Sequence, residues 1–514
     1  MIRRDCVVIG AGHNGLIAGC YLAAAGFDVE VLERDRIAGG AVSTVERWPD
    51  RPGVRVDRGS SLHVMFRHTG IAEELDLAAV GLRYHDADPF AVIPDPDRGP
   101  IVLHTDLDAT CAGLERTAGP EAADGYRRFI ATWTPRWRSL LALADSRSPL
   151  AAARAIAPMA RREWRLGADL PRQFLTSAES AVSGAIADER LAAGICWWAA
   201  QAGPAAHESG TAPIAGSLAL LHLRPPGRPA GGSGALANAL VARLAASGGS
   251  LRLADPATAV ETDGTGVVAV RTASGDRIPT SCVVAACHAA TTFDLIGRSD
   301  LIARLPVGDG IGLVVRALTD GPPRYAADTA PADRGMTWLV RSRRQLRAAA
   351  ADALAGRPSS DPALVVMTPT IADPTLAPAG MHVVTLWSQW APYRLASGNW
   401  DERRDAEADR VVGAAERWAP GLTSSIVDRW VQTPRDLERE LGLVNGDVMH
   451  LRTGLDAIFW MRPLPKWGRR TPVGGLYLAG ASTHPGGGVW GASGRAAAAA
   501  VISDRRRPKW PGRR

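Results

Sequence analysis

The sequence has no Cys-x-x-Cys pair. Its six cysteines, Cys6, Cys20, Cys111, Cys196, Cys282 and Cys287, stand apart at no metal-ligand spacing, and eleven histidines are scattered among them, so no metal site is expected. No apolar run approaches the length of a membrane span. The basic start Met1-Ile2-Arg3-Arg4 is followed by a segment whose removal would destroy the site read below, so no targeting sequence is expected and a cytoplasmic location follows. Neither a Ser/His/Asp set nor a carboxylate pair stands out as acid–base machinery. At 46% hydrophobic and 22% charged the composition is that of a soluble protein, and 514 residues allow two domains with large cores. The net charge of +6 is concentrated near Arg505 to Arg514, which reads as a solvated tail. A peripheral membrane contact through its Trp510 is the alternative, and no nucleic-acid partner is expected.

What is present begins at residue 4. Cys6-Val7-Val8-Ile9 is a short apolar strand, Gly10-Ala11-Gly12-His13-Asn14-Gly15 spaces three glycines as G-x-G-x-x-G before a small-residue helix, and Val29-Glu30-Val31-Leu32-Glu33 is a second strand ending in an acid. This is a dinucleotide-binding βαβ unit of Rossmann type. Gly10 allows the tight turn, Gly12 admits a pyrophosphate to the backbone, Gly15 lets helix approach strand, and the helix N-terminus offers free N–H groups. Glu33 suits an unphosphorylated ribose. Gly232-Ser233-Gly234 fits a relaxed form of the motif, but the prolines before it argue against a buried strand there, so a turn into a helix is expected.

A second glycine turn follows the acid directly: Glu33-Arg34-Asp35-Arg36-Ile37-Ala38-Gly39-Gly40-Ala41. A one-domain NAD fold has no need of it, and the cofactor expected is FAD, held without a covalent bond. The chain resembles the amine oxidase and phytoene desaturase superfamily of flavoproteins. No cysteine follows Gly39-Gly40, where flavin disulfide reductases carry a redox pair, which excludes that chemistry.

The C-terminal part completes the pattern. Gly474 to Gly480 reads as a buried strand, Ala481 to Trp490 as a glycine loop and Gly491 onward as an Ala-rich helix, again aiming backbone N–H groups at an anionic partner such as reduced flavin. With both ends read, the chain is similar to the phytoene-desaturase-like branch that includes pyridine nucleotide-disulfide oxidoreductase domain-containing proteins and carotenoid ketolases. The carrying segments are Gly10 to Leu16, Asp373 to His382, Thr433 to Arg439, Gly446 to His450 and Gly480 to Gly488. Ser482, Trp490 and the stretch after His450 depart from the pattern, so the substrate cannot be inherited.

The fold class expected is α/β: a Rossmann-like FAD-binding domain from 1–105, 229–292 and 431–503, a discontinuous α+β substrate or helical cap domain from 106–228 and 293–430, and a basic tail at 504–514. Strands near Ser250, Ala259, Gly266 and Cys282 form a meander with Val260 where relatives bond the adenine edge. The resemblance carries cofactor contacts onto Gly10, Gly12, His13, Asn14, Gly15, Glu33, Arg34, Gly39, Gly40, Ala41, Gly59, Ser60, Ser61, Val260, Gly480, Ala481, Gly488, Val489 and Trp490. Trp387 and Trp390, on an alternating strand, and Trp460 are substrate-pocket candidates, with core packing the simpler reading of the first two. His484, His450, His63 and Trp490 are the only catalytic candidates, and for each histidine a structural role is preferred to proton transfer. The expected reaction is hydride transfer from an apolar or natural-product substrate to flavin N5, with O2 or a quinone as electron acceptor. An amine oxidase acting on C–N bonds and a non-catalytic flavin-binding assembly protein are the rival readings.

Overall fold

The computed structural model describes residues 3–146, 149–167, 170–325, 335–458 and 461–506. Among these the strands are β1 (Cys6–Ile9), β2 (Val29–Leu32), β3 (Thr44–Glu46), β4 (Arg55–Asp57), β5 (Tyr84–Asp86), β6 (Ala91–Ile93), β7 (Ile101–Leu103), β8 (Gly227–Pro229), β9 (Ser250–Arg252), β10 (Ala257–Thr262), β11 (Val267–Thr272), β12 (Arg277–Pro279), β13 (Val283–Ala285), β14 (Gly312–Thr319), β15 (Met336–Leu339), β16 (Leu364–Met367), β17 (His382–Gln389), β18 (Ile426–Gln432) and β19 (Leu476–Leu478). The principal helices are α1 (His13–Ala24), α2 (Leu107–Ala118), α3 (Pro120–Ala144), α4 (Pro149–Arg165), α5 (Glu189–Ala200), α6 (Gly234–Ala246), α7 (Trp400–Glu416), α8 (Pro434–Leu441) and α9 (Ala492–Arg506).

β1 and β2 are apolar on both faces and fully buried, which only a covered parallel sheet accommodates. They sit inside a five-stranded parallel sheet in the order β19-β13-β1-β2-β9. Glu30 is the one carboxylate among these five strands, and Arg4 and Arg252 neutralise it at 3.1 and 2.7 Å. α1, α6 and α9 cover one face through Leu16, Ile17, Leu236, Leu240, Ala497 and Val501. The antiparallel ribbon β10-β11-β12 covers the other, where Val260 joins the cluster of Ile9 and Leu32.

The second sheet has seven strands, β18-β14-β17-β16-β15-β6-β7. Its residues alternate. Leu313, Val315, Leu364 and Leu386 face α7, while Val365 and Trp338 face α2, α3 and α5 on the other side.

The chain departs from the sequence-based boundaries at four places. β6 and β7 belong to the seven-stranded sheet although they precede residue 106, because Ala91, Val92 and Ile93 are all buried and pair with β15 and β7. β18 runs to Gln432, past the boundary at 431. Gly227–Pro229 is a buried strand after all: it pairs with β5 in a two-stranded ribbon in which Pro229 ends the strand and its missing N–H costs nothing. The meander takes its third strand from Arg277–Pro279, whereas Ser250 and Cys282 lead into strands of the parallel sheet.

Candidate functional site

The C-terminal ends of β1 and β2 open onto a glycine-walled edge. Gly10 turns with φ 99° and donates to the Leu32 carbonyl at 2.8 Å. Gly15 has no room for more than hydrogen, since a Cβ there would lie 2.0 Å from the Gly10 carbonyl oxygen. Gly12 is the opposite case: a Cβ would meet nothing within 4 Å, and its φ of −64° suits any residue. It caps α1, whose first turn has no side-chain cap and no acid, leaving its N–H groups and partial positive charge for an anion.

The second glycine turn lies beside the first. Gly39 donates to Ala11 O at 2.8 Å, a Cβ on Gly40 would fall 3.6 Å from Gly12 Cα, and Ser60 donates to Ala41 O at 2.8 Å beside Gly59. Glu33 is buried under this turn, accepting from Ala11 N at 2.7 Å and Asp35 N at 2.9 Å. Arg34 is exposed and reaches Arg439 O of α8. Ser61 offers its carbonyl to buried Arg228.

The C-terminal loop is tied to α1 by Ser493, whose hydroxyl donates to Ala479 O at 2.6 Å and lies 2.9 Å from Asn14 Oδ1. Gly494 presses on the same turn: a Cβ there would be 2.2 Å from Asn14 O. Gly480 and Ala481 are buried at the end of β19, with Gly488 and Val489 more open. The Trp490 indole folds back onto its own loop and donates to Gly487 O at 3.0 Å.

Histidines gather at this edge. His63 is fully buried, bonded through Nδ1 to Tyr84 Oη at 2.9 Å and through Nε2 to Ser233 Oγ at 2.8 Å, and burial followed by repulsion from His13 pushes it down to about 3. Burial pushes His13 down to about 4, and its Nε2 is enclosed without a hydrogen-bond partner among the described residues. His450 lies well below its usual range through burial and the nearby His288, Arg462 and His13. Its backbone has φ 66°, a left-handed conformation that a side chain other than glycine's rarely takes. His484 belongs elsewhere, bonded to the Leu143 main chain near the end of α3 and pushed down to about 4 by burial.

Two residues outside the sequence-based set hold His450. His288 accepts from Ala290 N through Nδ1 at 3.0 Å, so its Nε2 carries the hydrogen and donates to His450 O at 2.7 Å; burial keeps it neutral, down to about 4. Ser482 accepts from Ala289 N at 3.0 Å and directs its hydroxyl to His450 Nδ1 at 3.2 Å. Arg462, buried among carbonyls of Met449, Leu451, Arg452, Ala457 and Ala481, clamps this loop to the end of β19. The position of His288 just past the C-terminal end of a parallel strand was the available signal.

On the seven-stranded sheet, Trp338, Val365 and Trp387 share one row and one face. Trp387 is half-buried with its indole N–H unpartnered among the described residues. At φ 58° Trp390 turns into the helical core, where its indole donates to Gly203 O at 2.7 Å, the packing role that was the simpler reading of this residue. Trp460 lies outside the described residues.

The arrangement fits a dinucleotide on three counts: the open Gly12, the uncapped α1 and the buried His13 Nε2, unpartnered among the described residues. Residues 8–75 match the family model of the NAD(P)-binding Rossmann-like domain. The chain is 32% identical to pyridine nucleotide-disulfide oxidoreductase domain-containing protein 2 of Rattus norvegicus, over 97% of this chain and 93% of the relative. It belongs to that family. Like the relatives it is an oxidoreductase, and it is also 29% identical to a phytoene dehydrogenase of Streptomyces griseus over 84% of this chain and 82% of the relative. Its fold is shared by an oxidoreductase from Methanosarcina mazei, with TM-score 0.61 and 16% identity over 97% and 99% of the two chains. It is shared too by putrescine oxidase bound to putrescine, with TM-score 0.60 and 16% identity over 98% and 100%. The disulfide in the family's name has no counterpart here, for all six cysteines are free.

Proposed function

We propose that this chain is an FAD-dependent dehydrogenase that desaturates an apolar or natural-product-type substrate. The observation that carries the reading is the uncapped N-terminus of α1 behind an open Gly12, tied through Asn14 and Ser493 to the 479–494 loop. When bound, FAD supplies the two-electron acceptor. The α1 N–H groups would hold its diphosphate, Glu33 its ribose, and the main chain at Val260 its adenine, while the loops around Gly40, Ser60 and Gly488 and the N-terminus of α9 would lie beside the flavin. α9 has no acid in its first turn, so its partial positive charge would favour the reduced cofactor.

The substrate would lose a hydride, from carbon next to a double bond or heteroatom, to the bound FAD and a proton from the neighbouring atom to solvent water, leaving C=C or C=N. No histidine at this edge is suited to retain that proton, since His13, His63, His288 and His450 are all held neutral by burial. Their work is orientation and exclusion of water. The five-stranded sheet is assigned to the cofactor and the seven-stranded sheet, with Trp387, to the substrate, and O2 or a quinone takes the electrons. No helix among the described residues is long and apolar enough to cross a membrane, and a peripheral membrane contact completes the reading.

The test is to purify the protein, reduce it under nitrogen, admit air and follow the flavin band. Slow return is expected. Rapid return with hydrogen peroxide would replace the dehydrogenase by an oxidase, and a colourless protein that FAD cannot reconstitute would refute the cofactor.

A further inference from the structure

α4 presents an outer face unlike the rest of the surface. At 100° per residue, Leu150, Arg154, Arg161, Trp164 and Arg165 fall within an arc of about 100°, and Leu150 and Trp164 are separated by about 21 Å along the axis. Trp164 is 86% exposed and Leu150 60%, and Leu166 at the helix end is 63% exposed. Leu175, at the end of the short helix Leu170–Leu175 that follows, is 51% exposed. The opposite face is anchored: Met159 is buried, and Glu163 is buried against Arg136 at 2.8 and 3.1 Å and against Arg162 at 2.8 Å. The one carboxylate of the helix is therefore turned inward and neutralised, and its outer face carries cations and large apolar groups alone.

We infer that this face of α4 docks on an anionic lipid bilayer, with Trp164 and Leu150 in the headgroup boundary and Arg154, Arg161 and Arg165 against lipid phosphates. A tryptophan with a leucine at that depth and arginines beside them is the chemistry of an interfacial helix. Charge selects among the occupants. A second copy in a twofold contact would set this stripe against itself, bringing arginines onto arginines, whereas an anionic surface complements them. The inference deepens the membrane part of the proposed function, moving the contact from the C-terminal tail to α4, and its failure would leave the flavin chemistry untouched.

The FAD-loaded, full-length protein is sedimented with phosphatidylcholine vesicles and with mixed phosphatidylglycerol and phosphatidylcholine vesicles. Binding to the anionic vesicles is expected to be stronger by about tenfold or more and to weaken with salt. Trp164→Ser with Leu150→Ser, and separately Arg154→Glu with Arg161→Glu and Arg165→Glu, should each reduce it about tenfold. The flavin spectrum and the melting temperature should hold in both variants, because every changed side chain is exposed. Removal of residues 507–514 should leave binding in place. Absence of vesicle binding, binding lost with the tail but not with the α4 variants, or α4 variants that alter only self-association in sedimentation velocity would each overturn the inference.

Discussion

At the scale of single residues the two ends of the glycine motif make opposite predictions. Gly15→Ala forces a Cβ to within 2.0 Å of a backbone oxygen, so it should unfold or destabilise the protein by about 3 kcal/mol in denaturant melts. Gly12→Ala meets nothing in the protein and should melt as the parent does while losing about tenfold or more in FAD affinity, read from flavin fluorescence quenching. The buried histidines predict a pH dependence. His63 is pushed down to about 3 in the folded chain, whereas the unfolded chain protonates near 6.5, so below that pH the unfolded state binds more protons. Stability is therefore complete above about pH 6.5 and is lost as pH falls toward 3, by about 2 kcal/mol for His63 alone at pH 5. Urea melts at pH 7 and pH 5 should show this loss, and His63→Gln should reduce it. His63 was visible in the sequence because it follows a strand and a polar loop. The hold on His450 was not: His288 and Ser482 stand 162 and 32 residues away, and only the folded chain brings their ring nitrogens and hydroxyl together.

Among elements, the crossing of α1 and α9 decides whether the N-terminal motif and the C-terminal loop make one site. Gly494 is the contact point. Gly494→Ala should destabilise by about 2–3 kcal/mol, because the added methyl meets the Asn14 carbonyl in two helices that packing holds in place. Ser493→Ala should cost about 1 kcal/mol and weaken FAD binding, since it removes a bond between α9 and the end of β19 without crowding either. Both effects can be followed by thermal melts with and without FAD. The elements themselves were largely readable, for a buried βαβ unit and an Ala-rich C-terminal helix carry strong local signals of their own. Short pieces were harder: Arg277–Pro279 and Gly227–Pro229 carry three residues each and a proline, and only their paired neighbours make them strands. For the same reason β6 and β7 looked like part of the first domain, although β15, which ties β6 into the seven-stranded sheet, lies more than two hundred residues later.

For the whole molecule, the two sheets share a boundary rather than a linker. Trp48, Val54 and Val56 pack against Leu318, Val383 and Trp430, and buried Arg316 donates to Arg58 O at 3.0 Å. The protein should melt in a single transition, raised by FAD by about 2.7 kcal/mol at a hundred times its dissociation constant. Differential scanning calorimetry with increasing FAD checks this, and two separate transitions of which FAD moves only one would contradict the shared boundary. The interleaving of the parallel sheet also has a consequence for biosynthesis. β1 leaves the ribosome early, but its neighbour β13 stays unpaired on its far side until β19 emerges, about 10–40 s after β13 at ~5–20 residues per second. Throughout that interval the nascent chain presents an apolar, open strand edge, the kind of surface that invites pairing with another chain during synthesis.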